Sequence, residues 1–253
     1  MKQGKSLSII FPTLNSSILL DKVLKKLESQ TFTDFKILIV DGGSKDDTLE
    51  KFNSSFLDTE VISEYDKSFN DGVSKSLQHI KTSYFMIIGD DDEISDENYL
   101  KKLMDHIILN KSDIVFPEYG EIIGKNYFNK KQPKNFDSIY TKVVVPGIGW
   151  IANKKIIGHA DFDTNLIASS DYDFLLKLYK KGFKFSRCIG PRYYFRIGAN
   201  SYINAMAGFK ERTKISIKHG APKITVYLNY LIICLKFILK YKILSHIIKK
   251  YRV

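Results

Sequence analysis

A chain of 253 residues with 44% hydrophobic and 13% aromatic content carries enough apolar material for one large α/β domain or two small ones, which excludes a largely disordered protein. Its 39 Lys and Arg against 28 Asp and Glu give a formal charge of +11. That excess suits an anionic partner such as nucleic acid, an acidic membrane or a phosphorylated substrate, or else no more than a lysine-rich solvated surface. Cys188 and Cys234 have no metal-ligand spacing and point to a reducing compartment.

The first residues read as a strand, "LSIIFP", rather than as a signal peptide. Asn15 or Ser16 can cap the helix that follows, "LLDKVLKKLESQ", whose Leu20, Val23, Leu24 and Leu27 recur at helical spacing with lysines opposite. A second strand, "FKILIV", ends in the glycine turn "DGGSKDDT" before the helix "DTLEKFNSS". "TEVISE" is a weaker third strand, "DGVSKSLQHI" a helix, "YFMIIG" a fourth strand and "ENYLKKLMDHIILN" the helix after it.

Strands and helices alternating to about residue 110 predict a Rossmann-like, mostly parallel sheet with helices on both faces. Ligands of such sheets bind at the carboxyl ends of the strands. Here those ends carry "PTLN", "DGGS", "SEYD" and "GDDD", so acidic groups converge on one edge. The three aspartates 90–92 repel one another. A hard divalent cation, held by carboxylates together with substrate phosphates, would offset that repulsion, and so would a solvated loop without function. Asp41 at a strand end can accept hydrogen bonds from a ribose or a base. Asp171 and Asp173 open the helix of "SSDYDFLLKLYKKG", where they serve as a general base or merely as caps.

Beyond residue 112 the alternation loosens. "DIVFPEYGEIIG" and "YTKVVVPG" read as strands with the polar loop "KNYFNKKQPKNFDS" between them, and "KFSRCI" and "RYYFRIG" as two short strands. Residues 222–253 form an apolar helix interrupted by lysines. Asn229, Lys236 and Lys240 fall near one face, which predicts an amphipathic tail lying on an acidic membrane or packed on the protein. No run reaches the roughly 18–20 apolar residues that span a bilayer. The five histidines are scattered, and no GxSxG, HExxH or P-loop pattern occurs.

Taken in order, "LSIIFPTLN", "IVDGGSKDDT", "EYDKSFNDGVSKS", "YFMIIGDDD", "FDTNLIASSDYDFLLK" and "RIGANS" cover about residues 6 to 201. This series resembles the family 2 glycosyltransferases of bacterial polysaccharide synthesis. The resemblance implies the GT-A fold, with a catalytic domain over 1–221 (a nucleotide-sugar half to 115, an acceptor half from 116) and the helical tail over 222–253. It implies donor binding, UDP-linked, by Pro12, Thr13, Asn15, Asp41, Asp66, Asp71, Asp90, Asp91 and Arg196. Mn2+ or Mg2+ would sit at Asp91 and Asp92, and Asp171 would be the base for a glycan or lipid-linked glycan acceptor. The expected location is cytoplasmic, at the inner face of the cell membrane.

The chain departs from the family pattern at Ser68, Ser74, Ser76, Ser170 and Ala199, positions that bear on the donor sugar more than on the fold. A polyprenyl-phosphate glycosyltransferase is the alternative enzyme, although its acceptor would need no base. A nucleic-acid-binding protein is disfavoured, because only five arginines occur, scattered, and the candidate site is acidic. Sugar, acceptor, linkage and oligomeric state are not legible from the sequence.

Overall fold

The computed structural model describes residues 5–62, 68–130, 132, 135–141, 144–197 and 204–250, with side chains of the last helix as far as residue 238. Asp66 lies outside the described residues. Strand β1 (Leu7–Thr13), helix α1 (Ser17–Glu28), β2 (Phe35–Asp41), α2 (Thr48–Ser54), β3 (Thr59–Ile62), α3 (Phe69–Ser76) and β4 (Tyr84–Ile87) alternate as the pattern requires. β5 (Glu93–Ile94), α4 (Tyr99–Asn110), β6 (Ile114–Ile123), β7 (Asn126–Asn129), β8 (Ile151–Asn153), α5 (Ser170–Lys180), β9 (Phe185–Arg196), α6 (Ala205–Lys218) and α7 (Lys223–Lys250) complete the chain.

One sheet runs through both halves in the order β3-β2-β1-β4-β8-β6-β9-β5, with β7 paired to β6. β3, β2, β1 and β4 are mutually parallel, and antiparallel pairings enter at β8. Because successive strand residues point to opposite faces, β1 divides its side chains. Leu7, Ile9 and Phe11 join one core with Leu20, Val23, Leu24 and Leu27 of α1 and Leu100, Leu103 and Ile107 of α4. Ile10 joins the other, with Val73 of α3 and Phe174, Leu175 and Leu178 of α5. Trp150 is fully buried in that second core, stacked on Phe174 with ring centroids 6.3 Å apart.

Three local expectations are corrected. Part of the supposed polar loop, Asn126–Asn129, is a strand that closes a hairpin on β6 through Gly124, whose φ is +60°. The described part of "YTKVVVPG" forms no strand, and Tyr140 ends a short 3-10 turn instead. The two short strands read near 184–198 are one strand, β9, whose pairing with β6 shifts register between Phe116 and Glu118.

The tail is helical, as expected, but its two sides are both apolar over the described side chains. Val226 is buried, the ring of Phe237 meets that of Phe209 on α6 at 5.6 Å, and Asn229 donates to the Thr141 carbonyl at 3.2 Å. Asn229 therefore belongs to the packed side, not to a polar outer face. Ile224, Leu228, Leu231, Leu235 and Ile238 recur every three or four residues along the exposed side. No helix among the described residues is long and apolar enough to cross a membrane.

Candidate active site

The carboxyl ends of β1, β2 and β4 are tied together by side chains. Asp41, buried at the end of β2, accepts the amides of Gly43 at 3.1 Å and Ser44 at 3.0 Å, which shapes the glycine turn. Asn15 follows β1 with φ +52°, a left-handed conformation that asparagine tolerates better than most residues. Its amide donates to Ser44 Oγ at 2.9 Å and its side-chain oxygen accepts the Lys45 amide at 2.8 Å. Next to it, Ser16 donates its hydroxyl to Asp90. Thr13 at the end of β1 is buried, and its Oγ1 has no hydrogen-bond partner among the described residues. Pro12 occupies the β1 position in register with Val40. Asp71 lies in the first turn of α3, 3.1 Å from Lys75, and its amide donates to the Ser68 cap.

The three adjacent aspartates have three different surroundings. Asp90 and Asp91 are half-buried in the loop after β4. Burial pushes the Asp91 carboxyl up, the charge of Asp90 adds to this, and Arg196 opposes both. Asp92 turns inward. Its Oδ2 accepts the hydroxyl of Tyr193 at 2.9 Å and its Oδ1 the amide of Arg196 at 3.1 Å, while Tyr193 itself accepts the Gly89 amide at 3.0 Å. Burial, and secondarily Asp91, raise the Asp92 pKa to about 7. A Cβ at Gly89 would come 2.6 Å from Asp92 Oδ2, so the loop closes only around glycine. Asp92 is thus a fastening of the acidic loop to β9, buried and with a protein donor on each oxygen, which sets it apart from half-buried Asp91, the other residue expected at a cation.

Asp91 fits a cation. No group of three or more His, Cys, Asp or Glu side chains among the described residues is arranged to hold a metal alone. Mg2+ is ordinarily bound through one or two carboxylates plus substrate phosphates, and two half-buried neighbouring carboxylates provide that kind of partial set.

Arg196, expected at the diphosphate or acceptor, is held back from it. Its Nε donates to the Asp91 carbonyl at 3.0 Å and its guanidinium meets Glu93 at 2.8 Å. Glu93 is buried and also takes Lys22 of α1 and, at 2.8 Å, the hydroxyl of Tyr127 on β7. Burial works against the ionised form of Glu93, but Lys22, Tyr127 and Arg196 together hold its pKa below the ordinary range. Glu93 was not singled out in the sequence, although its place directly after three aspartates is a signal.

Segment 147–150 joins this loop to α5. The Gly149 amide donates to the Ile87 carbonyl at 2.9 Å, and Tyr99 donates to the Gly149 carbonyl at 2.5 Å. Gly149 has φ +84°, and a Cβ there would collide with the ring of Tyr193. Two residues back, a Cβ at Gly147 would overlap Oδ2 of Asp171. Two Cα–Cα steps of about 3.8 Å thus separate the glycine that packs on Asp171 from the glycine that is bonded to the end of β4 and packed on Tyr193. Asp171 is half-buried, and burial raises its pKa while the charge of Arg212 on α6 opposes the rise. A carboxylate with a raised pKa accepts a proton more readily near neutrality.

Asp173, two residues on, faces elsewhere. It is buried, 2.6 Å from Lys177 and 3.1 Å from His219. Burial alone would raise its pKa, but Lys177 and His219 outweigh it and hold the group below its usual value. The two aspartates of "SDYD" therefore divide into one packed on Gly147 and one anchoring α5 to the end of α6.

This arrangement has relatives. The sequence model described as Glycosyl transferase family 2 matches residues 8–183. The chain belongs to that family. Teichoic acid poly(glycerol phosphate) polymerase from Staphylococcus epidermidis is 28% identical over 210 residues, which cover 75% of this chain and 28% of that protein. The chain spans less than two thirds of the length of this and other curated relatives that it matches. S. aureus TarS 1-349, in complex with UDP-GlcNAc, superposes with a TM-score of 0.66 at 18% identity, covering 89% of this chain and 72% of that one. The mannosyltransferase PcManGT from Pyrobaculum calidifontis, in complex with GDP-Man and Mn2+, superposes with a TM-score of 0.67 at 13% identity, covering 90% and 70%. At these identities the structural likeness is one of fold, the GT-A fold.

The anchoring role of Asp173 predicts a pH-dependent stability. Its depressed pKa means that the stabilisation is complete above the unfolded carboxyl value of 3.8 and is lost as pH falls through the lower folded value. Asp173→Asn should cost about 1.5–3 kcal/mol at pH 7, the usual worth of hydrogen bonds to a charged group. In urea titrations the gap from wild type should be the same at pH 7 and about pH 5, and should shrink below about 3.8. An equal gap at every pH would refute the ionic anchor.

Proposed function

We propose that this family 2 protein is an inverting glycosyltransferase that moves a sugar from a nucleotide-diphosphate donor, UDP-linked, to a hydroxyl of a glycan or lipid-linked glycan in cell-surface polysaccharide synthesis. One observation carries the reading. The half-buried carboxylate of Asp171 packs on Gly147, two residues from Gly149, whose amide is bonded to Ile87 at the carboxyl end of β4; this supports a carboxylate base on the side of the sheet where an α/β fold binds its ligand. A teichoic acid poly(glycerol phosphate) polymerase among the relatives, and fold neighbours in complex with UDP-GlcNAc or with GDP-Man and Mn2+, support the substrate class.

In this reading Asp41, Asn15 and the unpartnered hydroxyl of Thr13 receive the nucleoside, beside Pro12. Asp71 lines the donor site, a role that the family resemblance implies for Asp66 as well, and Asp90 supports the diphosphate region. Asp91 is the protein ligand of Mn2+ or Mg2+, which when bound supplies positive charge to the departing diphosphate. Asp171 takes the proton of the acceptor hydroxyl as that oxygen attacks the anomeric carbon from the face opposite the nucleotide, so the configuration inverts. Gly147 leaves room for the carboxylate.

The proposed location is cytoplasmic, at the inner face of the membrane, with the exposed side of α7 in the lipid interface and its lysines toward acidic head groups. Leu228, Leu231 and Leu235 lie on that side, away from the contacts with α6.

Three tests follow from this reading. Asp171→Asn should lower kcat by roughly 10²–10⁴-fold, the usual worth of a positioned proton acceptor, with donor affinity and melting temperature kept. Undiminished kcat would transfer the case to the polyprenyl-phosphate reading, in which the acceptor needs no base. Asp91→Ala should abolish turnover without unfolding, and EDTA should reproduce this in the wild type. Full activity in excess EDTA would remove the metal from the scheme. Replacing Leu228, Leu231 and Leu235 together by Gln should reduce co-sedimentation with acidic liposomes while sparing transfer to a soluble acceptor analogue. Undiminished sedimentation would show that this side meets something other than lipid.

A further inference from the structure

We propose that Arg212 receives an acidic phosphate group of the acceptor in the cavity between α5, α6 and α7, and thereby holds the acceptor with its hydroxyl at Asp171. The inference deepens the glycosyltransferase reading and rests on it. The cavity has a volume of about 130 Å³ and lies beneath Tyr172, the residue next to Asp171. One wall is apolar, formed by Phe209, Val226, Tyr230 and Ile233, and Arg212 is the cation that lines it.

Arg212 has no ion-pair partner among the described residues. Its Nε is buried, and no hydrogen bond or ion pair among the described residues meets its guanidinium, which has only the ring of Phe209 at 5.9 Å. The neighbouring acid is already engaged. Glu211 accepts the amides of Ile167 at 2.8 Å and Ala168 at 3.0 Å with its two oxygens. Asp171 feels the charge of Arg212 but forms no ion pair with it. The other polar groups of the cavity satisfy one another. The Tyr172 hydroxyl donates to the Ile139 carbonyl at 2.6 Å and lies 3.1 Å from Ser216 Oγ.

A partly buried cation left uncompensated is costly. It is tolerable here if an anion arrives with the substrate. Arg212 is also held firmly for that purpose, because Glu211 and the bond from Ser169 Oγ to the Gly208 carbonyl, 3.1 Å, fasten α6 to the loop that leads into Asp171. A planar guanidinium matches phosphate geometry, and the apolar wall suits the carbon body that follows the phosphate. The same chemistry is offered by a lipid-borne phosphate and by a phosphodiester of a soluble polymer.

The test is a binding titration on the full chain with UDP and Mn2+ present to occupy the donor side. The probes are glycerol 3-phosphate, farnesyl phosphate and farnesol. Wild type should bind at least one phosphate probe, and Arg212→Gln should weaken it by roughly ten- to hundred-fold, with partial recovery in Arg212→Lys. Farnesol should bind wild type and Arg212→Gln alike. Tighter binding of farnesyl phosphate than of glycerol 3-phosphate assigns a lipid-borne acceptor, and equal binding a soluble one. If Arg212→Gln does not fold, Thr213→Asp, which puts a carboxylate in the same cavity, must abolish phosphate binding. The proposal is overturned if wild type binds neither phosphate probe, if Arg212→Gln binds as tightly as wild type, or if Thr213→Asp leaves binding intact. Failure of the underlying reading looks different, since wild type would then consume no nucleotide sugar, whatever it does with phosphate.

Discussion

The inward turn of Asp92 is the constraint on which the site depends. A carboxylate that gives both oxygens to Tyr193 and to the Arg196 amide fixes the loop after β4 against β9. Its neighbours in a tight turn must then point elsewhere, which leaves Asp90 and Asp91 toward the strand ends. Tyr193 does two further things. Its hydroxyl accepts the Gly89 amide, and its ring presses on Gly149, so the acidic loop and the segment carrying Gly147 are set by one side chain. Burying an acid in this way raises its pKa to about 7. That cost is accepted because the hydrogen bonds order a loop that would otherwise carry three adjacent charges.

The half of the chain from about residue 116 is organised by the opposite means. There the fastenings are ionic or made to backbone amides, and they come from α6. Glu211 clamps residues 167 and 168, while His219 and Lys177 hold Asp173. α5 is thereby positioned from both of its sides, by the sheet core through Phe174 and Leu178 and by α6 through these contacts. The packed side of α7 closes the same unit through Val226 and Asn229.

Much of this was readable in the sequence, because alternating strands and helices leave a strong local signal, and the strand ends fall where acidic and glycine turns follow short apolar runs. The buried face of α1 followed from spacing alone. What was not readable depended on partners far apart in the chain. Three consecutive aspartates look equivalent on paper, and only the arrival of Tyr193, about a hundred residues later, separates Asp92 from Asp91. Gly147 and Arg212 matter through contacts with α5 that no local pattern announces. The β7 hairpin was hidden because its strand, Asn126–Asn129, is exposed throughout and so lacks the alternation of a half-buried strand. The continuity of β9 was masked by Gly190 and Pro191 in its middle, which usually punctuate chains.

That interruption in β9 divides the strand's register. Between the pairs Phe116↔Arg187 and Glu118↔Arg192, β6 advances two residues while β9 advances five. The surplus, which includes exposed Ile189 and Gly190 with φ +111°, is carried outside the ladder. A strand of period two would ordinarily exchange its faces on any one-residue insertion. Here a length change can be taken up in the slack at 188–191, leaving Tyr193 and Arg196 in phase with the acidic loop. The ladder is thus held in two separate registers, one ending at Arg187 and one starting at Arg192, much as a cable spliced between two terminals keeps each end in place.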